Sequence, residues 1–137
     1  MSNTDGPSLA VPDRIIVPEP HEEFFWTSGA DGVLRFLGCD ACGRLHHPPL
    51  PRCPYCRDAD VSPMAVSGRA TIATFTINRQ PFMPGFEPPY VIAIVEIEGD
   101  PTIRLTTNLV DIAVDDVEIG LPVMASFERN GDWYVPL

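Results

Sequence analysis

Four cysteines form two Cys-x-x-Cys pairs, Cys39-Asp-Ala-Cys42 and Cys53-Pro-Tyr-Cys56, and the chain has no other cysteine. Each pair directs two thiolates to one point, and two such turns make a tetrahedral sulfur cage that suits Zn²⁺ at Zn–S distances of about 2.3 Å. Gly43 follows the first pair, where a tight turn often needs positive φ. We therefore predict one zinc ion bound by Cys39, Cys42, Cys53 and Cys56. Because all four cysteines serve as ligands, no coordination position of the zinc is left for a water or a substrate, and the zinc is expected to be structural.

Other uses of the cysteines compete with zinc. Iron also fits a cage of four thiolates, as in a rubredoxin-like site. A thioredoxin-like redox centre needs a single pair in a βαβ setting, which the sequence does not suggest. Residues 1–10 are polar and lack an apolar core, so no secretory signal is expected and disulfides are disfavoured. No apolar run approaches the roughly 18 residues that span a bilayer, and we expect a soluble, cytoplasmic protein.

The charge of the chain excludes several functions. The net charge is −10, and all nine basic residues are arginines. Without lysine there can be no Schiff-base lysine, pyridoxal-phosphate anchor or P-loop. Residues 33–63 carry a net charge of +1, whereas the segments before and after them carry −5 and −6. The arginines of this middle segment either solubilise it and offset the thiolates, or meet an acidic partner or a phosphate-bearing ligand.

The N-terminal part predicts a flexible arm over residues 1–18 and a short helix over residues 19–32. Pro20 suits the first turn of the helix, and acidic residues favour its positive end. Adjacent side chains diverge by about 100° on a helix, so three consecutive aromatic residues cannot share one face. One face is predicted to pack on the chain while another meets a partner, the alternative being that all three lie in the core. These aromatic residues are Phe24, Phe25 and Trp26.

Residues 33–63 contain both cysteine pairs and are predicted to form the zinc ribbon. The alternation in Val33–Leu37 indicates a strand that enters the first pair. Arg44–Arg52 is rich in proline and is predicted to be an extended excursion between the pairs. His46 and His47 lie in it, and since four thiolates already complete the cage, we expect surface or backbone-bonding roles for them.

Residues 64–137 have the pattern of a small β-barrel. Five short strands without a helix of normal length indicate a closed or partly closed barrel, although composition alone does not separate an OB fold from an SH3-like one. The start of the second strand is almost continuously apolar, which predicts burial on both faces. We expect a turn at Gly99-Asp100-Pro101 and a hairpin at Asn130-Gly131. The predicted strands are Ser67–Ile77, Tyr90–Ile97, Thr102–Val110, Val123–Glu128 and Trp133–Val135.

Together these elements resemble the DUF35 family, also called Zn-ribbon-and-OB-fold proteins. The resemblance runs from about residue 19 to the end of the chain. It is carried by Phe25-Trp26, the segment from Leu34 through Gly43, Pro48-Pro49, Arg52 through Cys56, Ser67-Gly68, Pro89-Tyr90-Val91, Val95-Glu96 and Ile119–Val123. It implies a mainly β fold with a short N-terminal helix, a rubredoxin-like Cys₄ zinc ribbon and a five-stranded OB-fold barrel over residues 64–137.

The resemblance also implies a function. Family members accompany acyl-CoA enzymes, either beside thiolase-like proteins or fused to hydratases. This chain is most similar to the domains that pair with lipid-transfer-type aldolases in steroid side-chain degradation, where the thiolase-fold partner holds the catalytic residues. The expected role is a non-catalytic subunit of a hetero-oligomeric aldolase or thiolase complex, which contacts the acyl-CoA substrate indirectly.

The residues themselves leave two other functions open. No catalytic set is evident, although a general base is not excluded by the three histidines. OB barrels and zinc ribbons also bind single-stranded nucleic acid, which needs a basic groove that this acidic barrel lacks. An iron electron carrier is the third hypothesis.

The loop over residues 80–89 is the candidate contact site of the barrel. Its prolines reduce the entropy cost of presenting Phe82, Met83 and Phe86 to a partner or to an acyl chain. The alternative is that these apolar residues only cap the open end of the barrel. With the three aromatic residues of the helix, they complete the predicted contact set.

Overall fold

The computed structural model describes residues 16–81 and 87–137, and most of its regular structure is β. The N-terminal helix consists of a 3-10 turn (Pro20–Glu22), the α-helix α1 (Glu23–Thr27) and a second 3-10 turn (Ser28–Asp31). Gly32 ends it at φ +77°, and its N–H donates to the Gly29 carbonyl at 3.0 Å. In the described part of the chain, no helix has the length and apolarity needed to span a membrane.

A three-stranded antiparallel sheet forms the ribbon. Its strands are β1 (Arg35–Cys39), β2 (Leu45–His46) and β3 (Val61–Ala65), in the order β2-β1-β3. β3 pairs with the whole of β1, from Arg35 opposite Ala65 to Cys39 opposite Val61. β1 begins two residues later than the predicted strand because the Val33 N–H donates to the side chain of Asp31 in the helix cap, at 3.1 Å.

The barrel region contains a four-stranded antiparallel sheet and a separate hairpin. The strands are β4 (Arg69–Asn78), β5 (Tyr90–Ile97), β6 (Asp100–Leu109), β7 (Pro122–Met124), β8 (Phe127–Asn130) and β9 (Trp133–Pro136). The sheet order is β6-β5-β4-β7, and a register shift between Ile72 and Thr74 interrupts the pairing of β4 with β5. The Thr107 hydroxyl donates to the Pro136 carbonyl at 3.1 Å, which joins the end of the hairpin of β8 and β9 to β6. A short 3-10 turn, Val114–Asp116, lies between β6 and β7.

The turn between β5 and β6 is shorter than predicted. The structure places the turn at Glu98 and Gly99, and β6 already begins at Asp100, which pairs with Ile97. The predicted turn at Gly99-Asp100-Pro101 is therefore wrong by one residue. Gly99 has φ +88°, a conformation that glycine adopts at low cost, and it lets the chain reverse in two residues.

The predicted fourth strand, Val123–Glu128, is divided between two sheets. The Ala125 N–H donates to the Gly68 carbonyl at 2.8 Å, whereas the Ser126 N–H donates to the Leu137 carbonyl at 2.9 Å. Between these two residues the backbone stops hydrogen-bonding to the segment that pairs with β7 and begins to hydrogen-bond to the segment that pairs with β8.

The hairpin at the end of the chain is confirmed, although its turn is displaced by one residue. Asn130 pairs with Trp133, so the turn consists of Gly131 and Asp132 instead of Asn130 and Gly131. Gly131 has φ +60°, which explains why a glycine stands at this position.

β5 is buried on one face only, in contrast to the prediction that its start is buried on both. Val91, Ala93 and Val95 are at most 2% exposed, whereas Ile92 is 37% exposed. Side chains alternate between the faces of a strand, and the second face of β5 lies on the outside of the sheet beside the exposed Thr74 and neighbouring residues. An apolar run therefore does not by itself indicate a doubly covered strand.

One hydrophobic core joins the helix, the ribbon and the barrel. Phe25 of α1 and Phe36 of β1 lie 6.1 Å apart between ring centroids, and Phe36 is fully buried. Both belong to the same buried cluster as barrel residues such as Ile72, Val95 and Leu105. The ribbon is therefore packed into the barrel core and is not a separate module on a linker.

Two glycines in close contact with the core provide a test of this packing. A Cβ on Gly29 would overlap the ring of Phe127 and lie 2.8 Å from the Tyr134 Cβ, while the three atoms nearest to a Cβ on Gly38 all belong to the flexible Met64 side chain. We expect Gly29→Ala to lower the free energy of unfolding by about 1–3 kcal/mol, because the Tyr134 Cβ is fixed to the backbone of β9 and cannot move aside alone.

Gly38→Ala is the matched control, and it should cost less than about 1 kcal/mol because a methionine side chain adapts readily. Urea unfolding at equal metal content measures both variants. Equal losses of stability in the two variants would contradict the packing described for Gly29.

Candidate functional site

The first cysteine turn closes the end of β1. The Gly43 N–H donates to the Cys39 carbonyl at 2.7 Å, and the Cys39 N–H donates to the Arg44 carbonyl at 3.0 Å. The Cys42 N–H points at the Cys39 sulfur at 3.4 Å. Gly43 has φ +76°, which confirms the predicted positive φ at this position. The backbone thus turns two thiols towards one point.

The second cysteine turn repeats this hydrogen-bond pattern. The Arg57 N–H donates to the Cys53 carbonyl and the Cys53 N–H donates to the Asp58 carbonyl, each at 2.9 Å. Arg57 occupies the position that Gly43 has in the first turn, and its φ is +65°. A side chain in this left-handed region costs roughly 1–2 kcal/mol, so the second turn is the more strained of the two.

The structure brings the sulfurs of the four predicted ligands together. The Sγ atoms of Cys39 and Cys56 are 3.4 Å apart, those of Cys42 and Cys53 are 3.6 Å apart, and all four lie within 4.8 Å of one another. A tetrahedral ZnS₄ group with bonds of about 2.3 Å has sulfur–sulfur edges of about 3.8 Å, whereas a disulfide bond measures about 2.05 Å. The four thiols are free and could hold one metal ion.

The environment of the sulfurs favours their ionisation unequally. The backbone N–H groups of Cys56 and Tyr55 lower the pKa of Cys53 to about 6, against the effect of desolvation. The Asp58 N–H lowers the pKa of Cys56, but the neighbouring Cys39 thiol and burial outweigh it and raise this pKa to about 12. Four thiolates at such short distances repel one another, so a bound dication is what allows all of them to lose their protons.

The two histidines beside the first turn lie outside the sulfur cluster. His46 is 3% exposed, and its Nε2 accepts the Leu50 N–H at 3.3 Å, so the expected backbone bonding is confirmed but a surface position is wrong. The ring of His47 lies 5.0 Å from those of Phe25 and Phe36. Burial, with a smaller electrostatic contribution from His46, lowers the pKa of His47 to about 4, and His47 is therefore neutral at physiological pH.

Three ribbon arginines make contacts within the protein. The Arg35 guanidinium donates to both carboxylate oxygens of Asp31, at 3.1 and 2.8 Å. The guanidinium of Arg44 lies 3.7 Å above the centre of the Tyr55 ring, which connects the two cysteine turns. Arg52 donates to a backbone carbonyl of the second turn at 3.2 Å. These contacts favour a structural use of the positive charge over phosphate binding.

The aromatic residues of α1 point in different directions. Phe25 is 5% exposed and belongs to the core, so its ring is not available at the surface. Phe24 and Trp26 pack against the same core but remain partly exposed, and the Trp26 ring lies 5.1 Å from that of Phe25, edge to face. Surface contacts of this helix are therefore left to Phe24 and Trp26.

The three loop residues of the predicted contact set lie outside the residues that the structure describes. The contacts of Phe82, Met83 and Phe86 therefore stay a prediction from the sequence.

A groove that the sequence did not suggest lies where α1, the bend after β2 and strand β6 meet, with a volume of about 400 Å³. Its three parts are 21 residues (Trp26 to His47) and 55 residues (Pro49 to Arg104) apart in the chain, and no local pattern could have indicated it.

Family models match two consecutive parts of the chain. A model described as "ChsH2, rubredoxin-like zinc ribbon domain" matches residues 26–62, and one described as "ChsH2, C-terminal OB-fold domain" matches residues 64–128. The order of the two models is the order of the ribbon and the barrel in the structure.

Two curated relatives are described as hydratase subunits. The "Probable enoyl-CoA hydratase alpha subunit" of Thermomonospora curvata is 45% identical over 116 residues, which are 81% of this chain and 35% of that protein. The "3-oxo-4,17-pregnadiene-20-carboxyl-CoA hydratase alpha subunit" of Mycobacterium tuberculosis is 32% identical over 124 residues, 89% of this chain and 39% of that protein. The chain thus spans well under half the length of these relatives.

A solved structure matches the chain almost from end to end. It is described as "Ltp2-ChsH2(DUF35) aldolase", with a TM-score of 0.81 and 32% sequence identity. The match covers 89% of this chain and 95% of the matched chain.

The strain at Arg57 predicts opposite effects of two substitutions in the cysteine turns. Arg57→Gly should raise the free energy of unfolding of the metal-loaded protein by about 0.5–1 kcal/mol, because relief of the left-handed strain exceeds the entropy cost of glycine. Gly43→Ala should lower it by a similar amount. Thermal unfolding of both variants at saturating metal is the measurement, and a destabilised Arg57→Gly variant would show that the side chain of Arg57 matters more than its φ.

Proposed function

The chain belongs to the DUF35 family of zinc-ribbon and OB-fold proteins, and on this premise we propose that it is a non-catalytic accessory subunit. Its proposed partner is a thiolase-fold aldolase or thiolase that acts on acyl-CoA esters. In this proposal the partner supplies the catalytic residues, and the chain binds and activates it in a hetero-oligomeric complex.

The match to a chain of an aldolase structure is the observation that carries this proposal. Because 95% of that chain is covered at a TM-score of 0.81, the two share their whole architecture and not only one common module. The four cysteines face one another in the ribbon, so the strongest potential nucleophiles of the chain are engaged there. Both observations favour a supporting role over independent catalysis.

We propose that the ion of the ribbon is Zn²⁺ and that its role is structural. Four sulfurs at these separations match the edge length of a tetrahedral ZnS₄ group, and they leave no coordination position for a substrate. Zinc holds the two cysteine turns at the end of β1, next to the strand whose other residues enter the barrel core.

We propose acyl-CoA thioesters as the substrates of the complex, with a steroid side chain as the acyl group. The two hydratase relatives are named for CoA thioesters, and one of these thioesters is a steroid carboxyl-CoA. Since this chain corresponds to little more than a third of those relatives, their hydratase activity itself is not carried over.

Nucleic-acid binding is less well supported. In β5 and β6, both fully described, the one basic residue is Arg104, and its guanidinium donates to Glu96 at 2.9 Å. A strand that binds single-stranded nucleic acid needs unpaired positive charge next to exposed aromatic residues. The outer face of these two strands carries one partly exposed aromatic residue, Tyr90, and no basic residue besides Arg104.

The metal assignment predicts that Cys39→Ser removes the ion and unfolds the ribbon. Structural zinc contributes roughly 10–16 kcal/mol in small zinc modules, and Cys39 is fully buried, so water cannot replace its sulfur. Elemental analysis of the fresh wild-type protein should find about one equivalent of zinc. His47→Phe, which preserves ring packing, should keep the full metal content. Wild-type protein with less than half an equivalent of zinc, or with stoichiometric iron, would contradict the assignment.

The accessory role predicts that activity requires both proteins. The chain alone should not turn over acyl-CoA esters, and its addition should raise the retro-aldol rate of a thiolase-fold aldolase from the same organism by about tenfold or more, equivalent to 1.4 kcal/mol. Activity is measured while the chain is titrated against a fixed amount of enzyme, with the Cys39→Ser variant as a control that lacks the ribbon. Full activity of the aldolase alone, or no complex on gel filtration, would refute the role.

A further inference from the structure

A groove at the junction of the helix, the ribbon and the barrel is not explained by the metal site. It measures about 400 Å³ and is formed by α1, the bend at residues 47–49 and strand β6. The bend follows directly from the short strand β2, and β6 lies at the edge of the four-stranded sheet. Three parts of the chain that share one core thus leave an open cleft between them.

The interior of the groove is apolar. Phe25 and Leu105, each 5% exposed, form part of its lining, together with the neutral imidazole of His47. Trp26 and Pro48 line it as well and remain at least partly exposed to solvent. Such a cleft offers an apolar side chain burial among aromatic and proline rings, the environment in which interface energy concentrates.

The rim of the groove is negatively charged. Arg104 is neutralised by its ion pair with Glu96, at 2.9 Å. The Glu22 carboxylate accepts the Glu19 N–H at 2.9 Å and lies 4.0 Å from the His21 ring, which compensates its charge only when protonated. Glu22 therefore keeps a negative charge at the mouth of the groove, on a helix that carries further acidic residues.

We propose that this groove binds a segment of the thiolase-fold partner that presents an apolar side chain next to an arginine or lysine. The apolar side chain enters between Trp26 and Pro48, and the cation pairs with Glu22, within reach of the Trp26 ring face. The proposal rests on the proposed accessory function and adds where the partner binds and with what chemistry. Charge favours the partner over a second copy of this chain as the occupant. Because the chain has a net charge of −10, a second copy would be repelled by the negative charge at the rim.

Binding of the purified aldolase to groove variants tests this. Thr106 is exposed on β6 and lines the groove, so Thr106→Arg fills the groove and adds like charge to the expected cation. This substitution should raise the Kd for the aldolase by roughly tenfold or more. Glu22→Gln keeps a side-chain acceptor for the Glu19 N–H but removes the charge. It should raise the Kd about three- to tenfold and reduce the salt dependence of binding.

Matched controls carry the same changes elsewhere on the surface. Thr76→Arg alters an exposed residue of β4 that lies opposite Ile92, and Glu118→Gln alters an exposed acidic residue before β7. Both should bind like the wild type, and unfolding curves verify that all four variants fold. If the wild type binds and the groove variants bind equally well, the groove assignment is overturned while the accessory role stands. If the wild type does not bind the aldolase, the groove assignment and the accessory role are both overturned.

Photo-crosslinking identifies the occupant. A benzophenone amino acid at position 106 should capture an aldolase peptide, and mass spectrometry should find an arginine or lysine next to an apolar residue at the crosslink. The same group at position 118 serves as the control. A crosslink to another copy of this chain, to a distant part of the same chain, or to an aldolase peptide without a basic residue would overturn the proposal.

Discussion

Burial of β1 in the barrel core is the interaction on which the rest of the structure depends. Phe36 is fully buried between the rings of Phe25 and His47, and Leu34, just before the strand, is 1% exposed. The same strand ends at Cys39, so a single rigid segment connects the metal site to the barrel. A change at the cysteine cluster is therefore expected to reach the helix and the barrel through close packing instead of through a flexible linker.

This coupling through one core suits the accessory role proposed for this small, acidic chain. The ribbon contributes the four-sulfur cluster at one end, and the barrel contributes most of the apolar core. Because α1 packs onto both, its exposed ring edges and acidic side chains are held in a fixed position. A preformed surface of this kind lowers the entropy cost of binding another protein, which suits a subunit that supports catalysis by a partner.

Local patterns determined most elements but not their boundaries. The bounds of β5 were predicted to the residue, but the burial predicted for its second face was wrong. Ile92 is as apolar as a core residue, whereas its face of the sheet is uncovered. The predicted strand at Val123–Glu128 was divided because its backbone groups bond first to Gly68 and then to Leu137. Both partners are far away in sequence, so periodicity could not identify them.

By itself, the sequence determined the four-sulfur site, the short aromatic helix and the β-rich barrel, since spacing, composition and alternation act over a few residues. The two cysteine turns need only local hydrogen bonds, and their spacing alone predicted which four sulfurs would lie together. Only the tertiary structure decided that Phe25 is internal while Trp26 stays accessible, that the ring of His47 packs against Phe25 and Phe36, and that α1 and β6 enclose a groove with Glu22 at its rim. These features depend on which faces the shared core covers, and that is a property of distant contacts.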